Sequence, residues 1–145
     1  MANEELARRL LESVRTVAVV GASRHPDKAA HRIPADLAAA GYRVIPVNPS
    51  APSEAGPDLL FGEPVVPYLS VITEQVDLVN VFRPPRDCPR VAQDAVAIGA
   101  KAIWLQLGIT SPEARAIAEE AGMEYVEDRC TGADLRRWGI RASAG

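Results

Sequence analysis

The chain has 145 residues, 48% of them hydrophobic and 24% charged, with a net charge of −3. This length suits one domain around one buried core, and the balance of apolar and charged residues argues against a disordered chain. Acidic and basic side chains are interspersed, which argues against a nucleic-acid surface, and no apolar run reaches the roughly 18–20 residues that span a bilayer.

Two cysteines, Cys88 and Cys130, make no disulfide framework. Residues 1–5 carry neither the basic nor the apolar region of a secretion signal, so the cytoplasm is the expected location, with no membrane attachment. Residues 4–15 place Leu6, Leu10, Leu11 and Val14 at helical spacing and predict an amphipathic first helix. Thr16-Val17-Ala18-Val19-Val20 is a short β-branched run with no polar face, the pattern of a strand buried on both sides, and Gly21-Ala22-Ser23 breaks it. A second helix is predicted over about 29–40, stopped by Gly41. Residues 42–47 give a second strand. Its Pro46 cannot donate to a ladder and is therefore placed near the strand's end. From 48 to about 70 the chain turns rich in Pro, Ser, Glu and Gly, with a short apolar patch at Val65-Val66. A long irregular loop in a compact domain is usually functional.

Residues 76–82 form the next strand, halted by Pro84-Pro85, and 88–100 a helix with Val91, Ala95 and Ile98 on one side. Residues 102–107 are another buried strand, ending at Gly108. Ser111-Pro112-Glu113 marks a helix start, with a serine N-cap, proline at the first helical position and an acid in the first turn. A last short strand follows over 124–128, and 131–138 gives a final helical turn or two. Strands separated by helices imply parallel pairing through right-handed crossovers. The expected fold is a single Rossmann-like α/β domain, doubly wound, with a mainly parallel sheet and helices on both faces. Residues 1–15 form its N-terminal helix, about 16–130 its core and 131–145 a short C-terminal helix and tail.

In open sheets of this kind, ligands bind beyond the carboxyl ends of the strands. The first exit offers Gly21, where the backbone can approach a phosphate, Ser23 as a hydroxyl donor, and Arg24, Lys28 and Arg32 as nearby charge. The same residues also fit a turn glycine among solvated bases, because the second and third glycines of the dinucleotide fingerprint are missing. The second exit carries Asn48-Pro49 where NAD enzymes place an acid on the ribose, which suits a phosphorylated ribose, as in coenzyme A or NADP, better than NAD. Phe82, Pro84 and Pro85 at the third exit suit an adenine face, with Arg83 beside them to stack or to pair phosphate; a turn holding two prolines fits equally.

Five segments together resemble the small bacterial CoA-binding domain proteins: 19–24 (Val-Val-Gly-Ala-Ser-Arg), 41–49, 76–83, 97–108 and 127–130 (Glu-Asp-Arg-Cys). They run in the same order from about Arg15 to Cys130. The CoA-binding domain of the succinyl-CoA synthetase α subunit is a more distant relative. The resemblance implies a Rossmann-like fold that holds coenzyme A, with Gly21, Ala22 and Ser23 at the diphosphate. It implies Val47, Asn48 and Pro49 around the adenosine, Phe82, Arg83 and Pro85 beside it, and Gln106 near the pantetheine path. Relatives often carry a basic residue in the loop after Asn-Pro, whereas residues 50–63 here have none, leaving Lys28, Arg83 or Arg86 for the 3′-phosphate. The relatives' proline after the cysteine is replaced here by Thr131-Gly132.

A CoA ligase of the succinyl-CoA synthetase type also needs a phosphorylated histidine in a second domain. This chain's histidines, His25 and His31, read as loop residues, and no metal is expected. No Ser/His/Asp set, paired carboxylates or nucleophile elbow can be assembled. The expected function is therefore non-catalytic binding of coenzyme A or acyl-CoA, in a carrier, sensor or regulatory role. The alternatives are an NADP-dependent oxidoreductase and a subunit of a CoA ligase. Cys130 reads either as a buried structural cysteine or, with Arg129 favouring the thiolate, as a redox thiol toward coenzyme A. Protein partners and self-association stay open.

Overall fold

The computed structural model describes residues 2–49 and 59–142. Its main sheet holds β1 (Thr16–Val20), β2 (Arg43–Val47), β5 (Leu78–Val81), β6 (Ala102–Leu105) and β7 (Glu124–Val126), in the order β2-β1-β5-β6-β7. Every neighbouring pair is parallel. A small antiparallel hairpin, β3 (Leu59–Leu60) and β4 (Glu63–Pro64), lies within the stretch read from the sequence as irregular. Much of that stretch, residues 50–58, lies outside the described residues. The helices are α1 (Ala2–Ser13), α2 (Ala29–Ala39), α3 (Cys88–Ala97), α4 (Pro112–Glu120) and α5 (Thr131–Trp138).

The apolar strands are apolar because successive side chains enter two different cores. Val17, Val19, Leu78, Trp104 and Val126 pack with Leu11, Leu37 and Leu135 of α1, α2 and α5. Ala18, Val79, Val81, Ile103 and Leu105 face the other way, onto Val91, Ala92, Ala95, Ala114 and Ala118 of α3 and α4. The result is the three-layered, doubly wound Rossmann-like architecture expected from the pattern. No described helix is long and apolar enough to cross a membrane.

Pro46 sits inside β2, and its position is explained by the sheet edge. The Val66 N–H donates to the Pro46 carbonyl (3.0 Å), and the Asn48 N–H to the Val66 carbonyl (2.9 Å). In a parallel strand the N–H and C=O of one residue face the same neighbour, so the donor that proline lacks would have pointed outward and β1 loses nothing.

The predicted N-cap at Ser111 is present, its Oγ accepting the Ala114 N–H at 3.1 Å. α5 covers the expected residues, about two turns, started by Cys130 and closed by Gly139 in the left-handed region (φ 60°). The strand and helix ends fall short of the sequence expectation at Val126, Ala97 and Leu105.

Proline also appears inside α2, where Pro34 cannot donate to the Ala30 carbonyl four residues back. That carbonyl instead accepts the Ser23 N–H at 3.0 Å, tying the loop after β1 to the helix that follows it.

Candidate functional site

Strand order reverses between β1 and β5: from β1 the chain moves outward to β2, and from β5 it moves the other way to β6 and β7. The crevice at such a switch point is where open α/β sheets hold their ligands. Here the two exits approach closely. A Cβ on Gly21 would lie 2.6 Å from the Phe82 carbonyl oxygen, and Gly21 has φ +89°. Only glycine meets both demands without strain.

Three clefts meet around this contact. The first, about 550 Å³, is lined by Gly21, Ser23, Arg24, Lys28, Ala30 and Asn48. The second, about 520 Å³, shares Gly21 and Asn48 and adds Val47, Pro49, Tyr68 and Arg83. The third, about 460 Å³, shares Ala30 and Phe82 with the first and Arg83 with the second, and continues past Ile33, Gln106, Leu107 and Cys130. Together they make one trough across the carboxyl ends of β2, β1, β5 and β6.

The first cleft is polar, but its amides differ from a simple reading of the opening loop. The Gly21 N–H donates to the Val47 carbonyl (2.9 Å), so it serves the fold, as does the Ser23 N–H held by Ala30. Ser23 Oγ accepts the His25 N–H at 3.0 Å and keeps its own proton to give. His31 Nδ1 donates to the Ser23 carbonyl at 2.7 Å, and its ring lies against Phe61. His31 is thus a loop fastener, while His25 lines the cleft. Among the described residues nothing accepts the N–H groups of Ala29 and Ala30, the first two residues of α2. The groups lining this cleft therefore include the start of α2 at Ala30, the Ser23 hydroxyl and the bases Arg24 and Lys28, a combination suited to phosphate.

Asn48 bridges two exits, its Nδ2 donating to the Ala22 carbonyl at 2.8 Å. Ala22 itself is buried and supports rather than lines the trough. In the second cleft Arg83 pairs with Asp87 (2.7 Å) and Arg90 with Asp94 (3.1 Å). Each guanidinium thus has a carboxylate partner and a place at the cleft wall. Pro85 and Arg86 line none of the three clefts; Pro84 takes the wall position instead.

Tyr68, 60% exposed at the second cleft, escaped the sequence reading, as did Arg90 and Ile33. The available signal for Tyr68 was its place in the long loop; Arg90 and Ile33 lie on ordinary helices and gave none.

In the third cleft Gln106 is 4% exposed. Its Oε1 accepts the Thr131 N–H (3.2 Å) and Asn80 Nδ2 (3.0 Å), within a buried cluster completed by the Thr131 hydroxyl. A backbone N–H can only donate, so the carboxamide oxygen must face it, and Nε2 is left without an acceptor among the described residues.

Arg129, expected beside the Cys130 thiol as its charge partner, is instead held by both oxygens of Asp134 (2.8 and 2.9 Å) and stacks on Trp138. Cys130 Sγ accepts the Ala133 N–H at 3.4 Å. Cys88 is buried in the core, and desolvation, with Asp87 acting in the same direction, pushes its thiol up to about 11. Among the described residues no group of His, Cys, Asp and Glu side chains could hold a metal ion.

A doubly wound sheet with a trough at its switch point, polar at a helix N-terminus and apolar beyond, defines a nucleotide-binding class of protein. Residues 15–136 match the CoA binding domain family, and the chain belongs to that family. It is 34% identical over 121 residues to the uncharacterized protein YneT of Bacillus subtilis, covering 83% of this chain and 85% of that one. The solved structure of cell-free ID.343 from Thermus thermophilus is 39% identical, with a TM-score of 0.83, covering 94% of this chain and 98% of that one. A dinucleotide-forming acetyl-coenzyme A synthetase 1 from Ca. Korarchaeum cryptofilum is 28% identical with a TM-score of 0.66; the match covers 81% of this chain and 26% of that one.

Proposed function

We propose that this protein binds coenzyme A or an acyl-CoA along the trough, as a carrier, sensor or regulatory module rather than as a catalyst. The observation that carries the reading is the continuity of the three clefts in a member of the CoA binding domain family. The diphosphate is assigned to the first cleft, at Ser23, Arg24, Lys28 and the start of α2 at Ala30. The adenosine is assigned to the second, between Val47, Asn48, Pro49 and Tyr68, with Arg83 and Arg90 as the bases for the 3′-phosphate. Pantetheine would follow the third, past Phe82 and Gln106. Binding without turnover is supported by how the carboxylates and imidazole here are engaged: Asp87 and Asp94 each accept from an arginine, whose remaining N–H groups can still meet phosphate, and His31 is fastened to the backbone.

The resemblance to a quarter of a dinucleotide-forming acetyl-coenzyme A synthetase favours, as a second reading, a ligase part acting with a separate subunit. Calorimetry on protein stripped of bound ligand tests the first reading. A saturable signal is expected with coenzyme A and none with NAD. No affinity for coenzyme A or its thioesters, or a preference for NADP, overturns it. Ligase turnover that appears only when a partner protein is added would favour the second.

A further inference from the structure

We propose that Cys130 exchanges with coenzyme A disulfide, taking one coenzyme A moiety onto its Sγ while the arm lies in the third cleft. This inference rests on the coenzyme A reading above and extends it to a covalent, redox-dependent state.

Two independent features converge on that cleft. Cys130 lines it, is partly exposed, and immediately precedes α5. Its Sγ accepts the Ala133 N–H at 3.4 Å, which fixes the sulfur at the start of the helix. The second feature is Gln106, nine-tenths buried, lining the same cleft and carrying the amide donor that no described residue accepts. A buried donor of this kind calls for an acceptor from a ligand. The pantetheine arm carries amide carbonyls a short distance before its terminal sulfur, so a carbonyl held at Gln106 brings the sulfur near Cys130, whose chain neighbour Thr131 donates its N–H to Gln106. The surrounding Ile33, Phe82, Leu107 and Ile109 supply apolar surface for the methylenes between them.

In the exchange, the Cys130 thiolate attacks one sulfur of the disulfide. The Sγ–S bond forms as the S–S bond of coenzyme A disulfide breaks, and the departing coenzyme A thiolate takes up a proton, matching the one Cys130 gave to solvent. Cys130 is oxidised and one half of the disulfide is reduced, so no further oxidant is needed.

The test uses reduced, full-length protein incubated with coenzyme A disulfide, followed by intact mass and peptide mapping. One coenzyme A moiety is expected, on Cys130, and none on Cys130→Ser. Capture from coenzyme A disulfide should be roughly tenfold or more faster than from hydroxyethyl disulfide at equal concentration, because binding raises the local concentration of the reacting sulfur. Equal rates with the two disulfides, an adduct on Cys88, or an adduct that persists in Cys130→Ser overturns the inference. Normal calorimetric binding of reduced coenzyme A with no adduct removes this inference alone; no such binding removes the earlier reading and this one with it.

Discussion

A methyl group on Gly21 would meet the Phe82 carbonyl oxygen at 2.6 Å and Arg83 Cδ at 3.2 Å, on a backbone already at φ +89°. The carbonyl belongs to the backbone at the end of β5 and cannot swing away as a side chain could. Gly21→Ala is therefore expected to lower stability by roughly 1–3 kcal/mol through backbone strain alone. It should also weaken coenzyme A binding, since the exits of β1 and β5 must separate where the three clefts meet. Denaturant unfolding and calorimetry on the same variant check both effects; unchanged stability with unchanged affinity contradicts the close approach. The two thiols differ at this scale as well. Cys88 is packed against the core and held protonated by burial, while Cys130 has an amide at its sulfur and a cleft before it.

Among the elements, α2 carries the tightest link between fold and site. Because Pro34 offers no N–H, the Ala30 carbonyl is available to hold Ser23. Pro34→Ala restores a competing donor inside the helix. The expected outcome is coenzyme A affinity lower by roughly fivefold, the worth of about one hydrogen bond, while the gain in helix propensity offsets the packing lost at this buried position. Unchanged affinity would mean that the Ser23–Ala30 bond does not shape the first cleft.

The five strands of the main sheet were legible because burial on both faces leaves runs such as Thr16–Val20 and Ala102–Leu105 with no polar side. The hairpin of β3 and β4 was not, because strands of two residues are too short to carry a period and one of them contains Pro64. At the site, Gly21, Ser23, Asn48 and Arg83 could be picked out by their positions after strands. Which amides remain available could not, because the carbonyls that occupy them, Val47 and Ala30, come from other elements. The Arg129–Asp134 pair was hidden for a related reason: Asp134 lies one turn into α5, and only the folded helix brings its carboxylate back to Arg129.

For the molecule as a whole, acid stability should depend on Asp77, where the edges of several elements meet. Its Oδ2 accepts the N–H groups of Arg15 and Thr16, each at 3.0 Å, and Lys101 lies 3.5 Å from Oδ1. Burial acts to raise the pKa, but those donors and the Lys101 charge outweigh it, and the carboxyl titrates below the ordinary aspartate range. A lowered folded pKa means that this stabilisation is complete above the unfolded value, about 3.9, and is lost as pH falls through the folded one. Asp77→Asn is expected to be less stable than the parent by about 1–2 kcal/mol at neutral pH, with the gap closing in strong acid. Denaturant unfolding across a pH series reads this directly, and a gap that persists into strong acid contradicts it.

The crevice between β1 and β5 exists because the order of connections reverses there, not because any side chain hollows it out. Most of its walls, from Lys28 to Tyr68 to Leu107, belong to segments that the two apolar layers do not need. Recognition is therefore free to drift in evolution while the framework stands still, and Gly21 is the point where that freedom ends.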